Sequence, residues 1–180
     1  TEIKHKVIDI TPMIDAYFSD FPEADRKRRG NKMARERMSI LYDHSALEKA
    51  LVVGSSNKSE MLLGYGTIYG DLACAINPLG NLYKTQVRQL ALGVGVPERI
   101  VSKIPSAGLW PGQTDEGELG FTYEVADKIL YLLVDKGIDK KEVMKEGFEE
   151  SLVEAIIAKI KASAFKRRLP IIAELNDGEK

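Results

Sequence analysis

Gly54-Ser55-Ser56-Asn57-Lys58-Ser59-Glu60 follows a continuous apolar run, Leu51-Val52-Val53, and packs hydroxyls, a lysine and a carboxylate into one short segment. An apolar run of this kind reads as a strand covered on both faces, and Asn57 then opens a helix. At such a junction in an open α/β sheet, free N–H groups and the positive end of the helix attract anions. The serines and Lys58 can meet phosphate oxygens there, and Glu60 can hold a magnesium ion, which favours carboxylate, water and phosphate oxygens. Asn57 with Glu60 three residues later is equally the pattern of a capping box. Spacing alone leaves both readings open.

Three further places offer charge for a ligand. Gly30 to Met38 puts Arg35 and Arg37 in the first turns of a helix, where guanidinium groups can fork onto phosphate or carboxylate or simply be solvated. Lys84 stands at a loop-to-helix junction in Asn77 to Arg88, with the same two readings. Lys166-Arg167-Arg168 follows a helix, where cations also complement the negative dipole end without any ligand. The stretch from Pro105 to Gly120 is rich in glycine and proline, contains Asp115, Glu116 and Glu118, and has the length of a functional loop or lid. The single cysteine, Cys74, reads as a small buried hydrophobe, and His5 and His44 are too far apart for a zinc pair.

The elements that must position these groups follow from pattern. Lys6 to Ile10 reads as a strand, with Thr11 as cap and Pro12 opening a helix to about Phe21. Arg26 to Gly30 reads as a loop, and Asn31 as the cap of a helix to about Ala50 with Met33, Ile40, Leu41, His44 and Leu47 on its apolar side. After the strand at 51 to 55 and its helix comes an ordered loop from Gly64 to Asn81. Helices then run from Lys84 to about Leu92, Pro97 to Lys103, Tyr123 to Lys136, Lys140 to about Lys145, and Glu149 to about Ala164.

The 180 residues suit one domain, 1 to 180, able to bury roughly 70% of its unfolded surface. Lys plus Arg number 26 against 27 Asp plus Glu, so no charge excess draws the chain to nucleic acid or a membrane. With no secretory signal and no long apolar run, the expected location is cytoplasmic. Two strands alone do not make a stable parallel sheet. The expectation is therefore that further βα units precede Thr1, or that a small α+β domain is completed by dimerisation.

Several strings together resemble the ammonia-dependent NAD+ synthetase family. They are GNKMARERM at 30 to 38, LVVGSSNKSEMLLGY at 51 to 65, YGD at 69 to 71, NPLGNLYKTQVR at 77 to 88, PSAGLWPGQTDEGELG at 105 to 120 and KRRLP at 166 to 170, in the family's order. The resemblance implies an α/β, adenine nucleotide α-hydrolase-like (Rossmann-like) parallel sheet flanked by helices, here without its first βα units, in a protein that is usually a homodimer. It implies a ligase that converts deamido-NAD+ to NAD+ with ATP, magnesium and ammonia through an adenylated carboxylate. On the matching positions it implies ATP contacts from Ser55 (a threonine in relatives), Lys84 and Ser106, deamido-NAD+ contacts from Arg35 and Lys166, and magnesium on Glu60. Asp71, Asp115 and Glu116 lie in matching loops without a fixed role.

The sequence departs from many bacterial relatives at Ile68, where they have a lysine, at Ala75, where they have an aspartate, and at Phe165, where they have a histidine. The Ser-Gly-Gly-x-Asp-Ser pyrophosphate loop of the family does not occur between 1 and 180. By itself the 180-residue chain is expected to be inactive. Two other readings stay open: a GMP synthetase-like ATP pyrophosphatase, and a non-catalytic dinucleotide-binding or dimerisation module. No cysteine–histidine pairing of a glutaminase is visible, so free ammonia is the expected nitrogen source.

Overall fold

The computed structural model describes residues 3–173. Nine α-helices account for the regular structure of that stretch, joined by one π turn and one 3-10 turn. α1 (Thr11–Phe18) and α2 (Arg26–Glu48) come first. α3 (Lys58–Leu63) and α4 (Lys84–Gly93) flank the glycine-rich loop. α5 (Glu98–Val101) and α6 (Asp115–Leu119) are short. α7 (Tyr123–Leu130) runs into a π turn at Tyr131–Asp135. α8 (Lys140–Lys145) and α9 (Glu150–Ala162) follow, and a 3-10 turn (Ala164–Arg167) ends the ordered elements.

The core lies where the helical period is clearest. Tyr123, Ala126, Asp127 and Leu130 of α7 recur at i, i+3, i+4 and i+7, so they form one buried stripe. Against it pack Leu63 of α3, Val143 of α8 and Val153 and Ile156 of α9. Each fully buried aliphatic or aromatic side chain here contributes about 1.5–3 kcal/mol of transfer free energy. In α9 the innermost positions are Val153 and Ile156, while Leu152, Ile157 and Ile160 are only partly buried.

The expected strands are the main correction. Residues 6 to 10 form no ladder, and the 51 to 55 run pairs only through a parallel bridge between Val53 and Ile76. Its hydrogen bonds run from Gly54 N–H to Ile76 O at 2.7 Å and from Ala75 N–H to Val52 O at 2.9 Å. Among the described residues no longer sheet exists, because a strand needs a partner backbone and the segment at 75 to 76 supplies only a short one.

Two helix starts also differ. Thr11 does not cap α1: Ile10 stands at the cap position, and Thr11 donates its N–H to Asp9 Oδ1 at 2.9 Å. Arg26 to Gly30 is helix, because Asp25 takes the cap with extended backbone and its Oδ1 accepts from Arg28 N at 2.7 Å. Asn31 is therefore inside α2, and arginine is a good helix former once a cap stands before it. The Arg28 and Arg29 guanidinium groups lie over the Phe21 and Phe18 rings at 4.7 and 4.6 Å, which ties α2 back to the α1 region.

No helix among the described residues is long and apolar enough to cross a membrane.

Candidate functional site

The site grows from the start of α3. Asn57 is buried and extended, and its side chain accepts from Glu60 N at 3.0 Å while Glu60 Oε2 accepts from Asn57 N at 3.0 Å. The capping box is therefore real, and it uses only one carboxylate oxygen. Glu60 Oε1 faces away from the cap and accepts from Lys84 Nζ at 2.7 Å. The cap thus orients the carboxylate and leaves its second oxygen for a cation. Lys58, the other lysine of the segment, points elsewhere: its ammonium pairs with Asp135 and lies over the Tyr83 ring at 4.8 Å.

α3 ends at Gly64, whose φ of +68° is in the left-handed region that glycine tolerates. A Cβ at Gly64 would lie 2.1 Å from Ser163 Cβ, so the C-terminal segment packs directly onto this turn. Lys166 Nζ donates to Gly64 O and Gly66 O at 2.8 and 2.7 Å. Arg167 spans Met61 O, Leu62 O and Ile160 O at 2.8 to 3.1 Å. These cations satisfy the carbonyls at the ends of α3 and α9. Burial holds the Lys166 ammonium below its ordinary pKa, an effect that Asp71 partly opposes.

A cavity of about 980 Å³ opens over these elements, lined among others by Ser55, Glu60, Lys84, Ser106, Asp115 and Lys166. Asp115 is buried, its N–H donates to Pro105 O at 2.9 Å, and its Oδ2 accepts from Tyr123 OH at 3.2 Å. Its Oδ1 has no hydrogen-bond partner. Burial raises the carboxyl pKa, with Lys84 and the hydroxyls of Tyr65 and Tyr123 pulling the other way. Tyr65 OH donates to Glu118 Oε2 at 2.8 Å, and burial pushes the Tyr65 and Tyr123 phenols up. The wall therefore has an ammonium paired with the Glu60 carboxylate and a second, buried carboxylate, Asp115, that accepts from a tyrosine hydroxyl.

Among the described residues no three His, Cys, Asp or Glu side chains are grouped to hold a metal. The donor chemistry still fits a magnesium ion that takes most of its shell from phosphate and water, since Glu60 Oε1, the carboxylate oxygen not used by the cap, is turned toward a cation, the Lys84 ammonium.

The family model described as NAD synthase matches residues 1–170. The chain belongs to the NAD synthase family. The NH(3)-dependent NAD(+) synthetase of Trichlorobacter lovleyi is 58% identical over 174 residues, covering 97% of this chain and 64% of that protein. Its counterpart from Fusobacterium nucleatum is 52% identical, covering 97% of this chain and 67% of that protein. Among solved structures, an NMN synthetase from Francisella tularensis superposes with TM-score 0.83 at 35% identity, over 96% of this chain and 68% of that one. An NH3-dependent NAD synthetase from Campylobacter jejuni, in complex with the nitrate ion, gives 0.77 at 37%, over 96% and 66%. The chain thus spans 64% of the length of the first of these relatives.

In this NAD synthase family member the structure brings Ser55, Glu60, Lys84, Ser106, Asp71, Asp115 and Lys166 to one cavity. It does not bring Arg35 or Glu116 there. Arg35 is exposed, donates from Nε to Ile68 O at 3.3 Å and lines an adjoining hollow with Asp25 and with Asn31, which also lines the main cavity. Glu116 Oε1 accepts from Tyr123 N at 2.9 Å and so satisfies the start of α7. Asp71 Oδ1 accepts from Thr67 N at 2.8 Å and braces its own loop.

Tyr123 and Asp127 carry no site role in the sequence reading. Nothing in local spacing marks them, because their partners lie many residues away. The one available signal was Asp127 at a position of α7 that the helical period assigns to the apolar face.

Proposed function

We propose that this chain supplies part of the active site of an ATP-dependent ligase that converts deamido-NAD+, ATP and ammonia to NAD+, AMP and pyrophosphate. The supporting observation is the convergence of Ser55 and Glu60 from one segment with Lys84 and Ser106 from two others on one cavity. The 58% identity to a protein named NH(3)-dependent NAD(+) synthetase supports reading that cavity against deamido-NAD+ and ATP. The adenine nucleotide α-hydrolase-like, Rossmann-like sheet belongs to the same proposal, supported by the parallel pairing at Val53 and Ile76. So do the single domain over 1 to 180 and the homodimer.

A free carboxylate is a poor electrophile, since its charge repels nucleophiles and oxide is not expelled. The nicotinate carboxylate oxygen attacks the α-phosphorus of ATP, and the bond to the pyrophosphate oxygen breaks. Ammonia then attacks the acyl carbon, AMP leaves with the carboxylate oxygen, and one proton is lost. Both substrates are polyanions, so the side chains act by positioning and charge neutralisation. Lys84 moves its ammonium from Glu60 to a phosphate oxygen, with Ser55 and Ser106 as hydroxyl donors. Glu60 would hold magnesium, which when bound neutralises phosphate charge. Lys166 and Arg35 serve the deamido-NAD+ side, where Ile68, Ala75 and Phe165 supply no charge. Asp115 holds the Ser106 loop through its N–H bond to Pro105 O.

The test is product formation by the full-length gene product with ammonia, offering deamido-NAD+, nicotinate mononucleotide and xanthylate in parallel, and glutamine as the alternative nitrogen source. Deamido-NAD+ with ammonia is expected to give the highest kcat/KM. Preference for the mononucleotide or xanthylate, or equal use of glutamine, overturns the reading. Glu60→Gln keeps the capping pattern but removes the charge, so it is expected to abolish magnesium-dependent adenylation with little loss of stability. Wild-type turnover in that variant would reduce Glu60 to a cap.

A further inference from the structure

The groups that hold Lys84 in place converge on a carboxylate that the proposed chemistry does not use. Asp127, on α7, is 5% exposed. Its Oδ2 accepts from Thr85 N at 2.9 Å, and its Oδ1 accepts the Ser59 hydroxyl. The Ser59 oxygen in turn accepts from Lys84 N at 2.9 Å. The first two amides of α4 have no acceptor within their own helix, and Tyr83 at the cap position makes no side-chain cap bond to them. They are capped instead from α3 and α7. A carboxylate there also sits at the positive end of the helix dipole.

We propose that Asp127 is a positioning residue for the Lys84–Glu60 pair, an inference that rests on the ATP-handling role given to that pair above. Lys84 is fixed to consecutive residues of α3, by its backbone N–H to Ser59 and by its ammonium to Glu60. Asp127 lies under both elements and sets their register. It therefore decides where the ammonium stands relative to Glu60 Oε1. In Asp127→Asn one oxygen becomes an NH2 donor, so either the Ser59 hydroxyl or the Thr85 N–H faces a donor and loses its partner. The first turn of α4 then loosens, and Lys84 is the residue at its end.

A double-mutant cycle in the full-length gene product tests this, with Asp127→Asn, Lys84→Ala and both together, read as kcat/KM for ATP and as the urea midpoint. Asp127→Asn is expected to lower kcat/KM about tenfold, chiefly through KM, when Lys84 is present, and less than about twofold when it is absent. The midpoint shift should be the same in both backgrounds. An equal kinetic factor in the two backgrounds makes Asp127 merely structural and overturns the proposal. If Asp127→Asn does not fold, Ser59→Ala removes the bridge to the Lys84 N–H and is judged by the same two outcomes. A wild-type protein without ATP-dependent amidation defeats the functional reading and this inference with it. An active wild type with an additive cycle defeats the inference alone.

Discussion

Around α7 the side chains of Tyr123, Ile129, Leu130, Val143, Val153 and Ile156 have no exposed surface, whereas Val7 is 87% exposed, Leu47 69% and Leu51 65%. Both regions carry large apolar side chains. They differ in where their partners are. A helix closes its own hydrogen bonds and needs only one face covered, and α3, α4, α8 and α9 provide that cover for α7. The run at 51 to 53 needs other backbones on both edges and side chains on both faces, and the described residues offer it one short parallel contact. The site lies on the boundary, with Ser55 on the side of the apolar run and Glu60 and Lys84 on the side of the packed helices.

That contrast is broken most sharply by truncation. Ile156→Ala leaves a cavity in the helical core and is expected to cost about 2–5 kcal/mol by urea denaturation. Leu47→Ala is expected to cost no more than about 0.5 kcal/mol, because its side chain is already largely in solvent. Equal losses from the two would mean that α2 is covered as well as α7, and the difference between the regions would vanish.

The same contrast explains what the sequence disclosed. The helices after Tyr123 were legible because their period repeats over several turns. The capping box was legible because both partners lie within four residues. The strand readings at 6 to 10 and 51 to 55 found only one bridge, because pairing is a property of distant segments. Arg26 to Gly30 reads as a loop from its run of like charges, and only the structure shows Asp25 as the cap that makes it helix. At the site, the groups on the cavity wall announced themselves by chemical type. Asp127 did not, because what it does depends on residues 42 and 68 positions away.

A smaller effect sharpens the comparison at the boundary. Burial raises the Asp115 carboxyl pKa, so the fold favours its neutral form. The charged form therefore costs stability above the folded pKa, and that cost disappears as pH falls through it. Asp115→Asn can still accept from Tyr123 and carries no charge, so its thermal midpoint should exceed that of the wild type near pH 8. The gain should be absent near pH 4. A gain that does not change with pH would mean that charge burial is not what distinguishes this wall of the cavity.

If α3 and α4 are locked together to present an ammonium and a carboxylate to nucleotide phosphates, nucleotide affinity depends on Lys84. Calorimetric titration of magnesium–ATP into the full-length gene product and its Lys84→Ala variant tests it most directly. Binding at least about tenfold weaker is expected in the variant, the loss that goes with one charge-assisted phosphate contact. Unchanged affinity would contradict it and leave the Lys84–Glu60 pair as a structural ion pair.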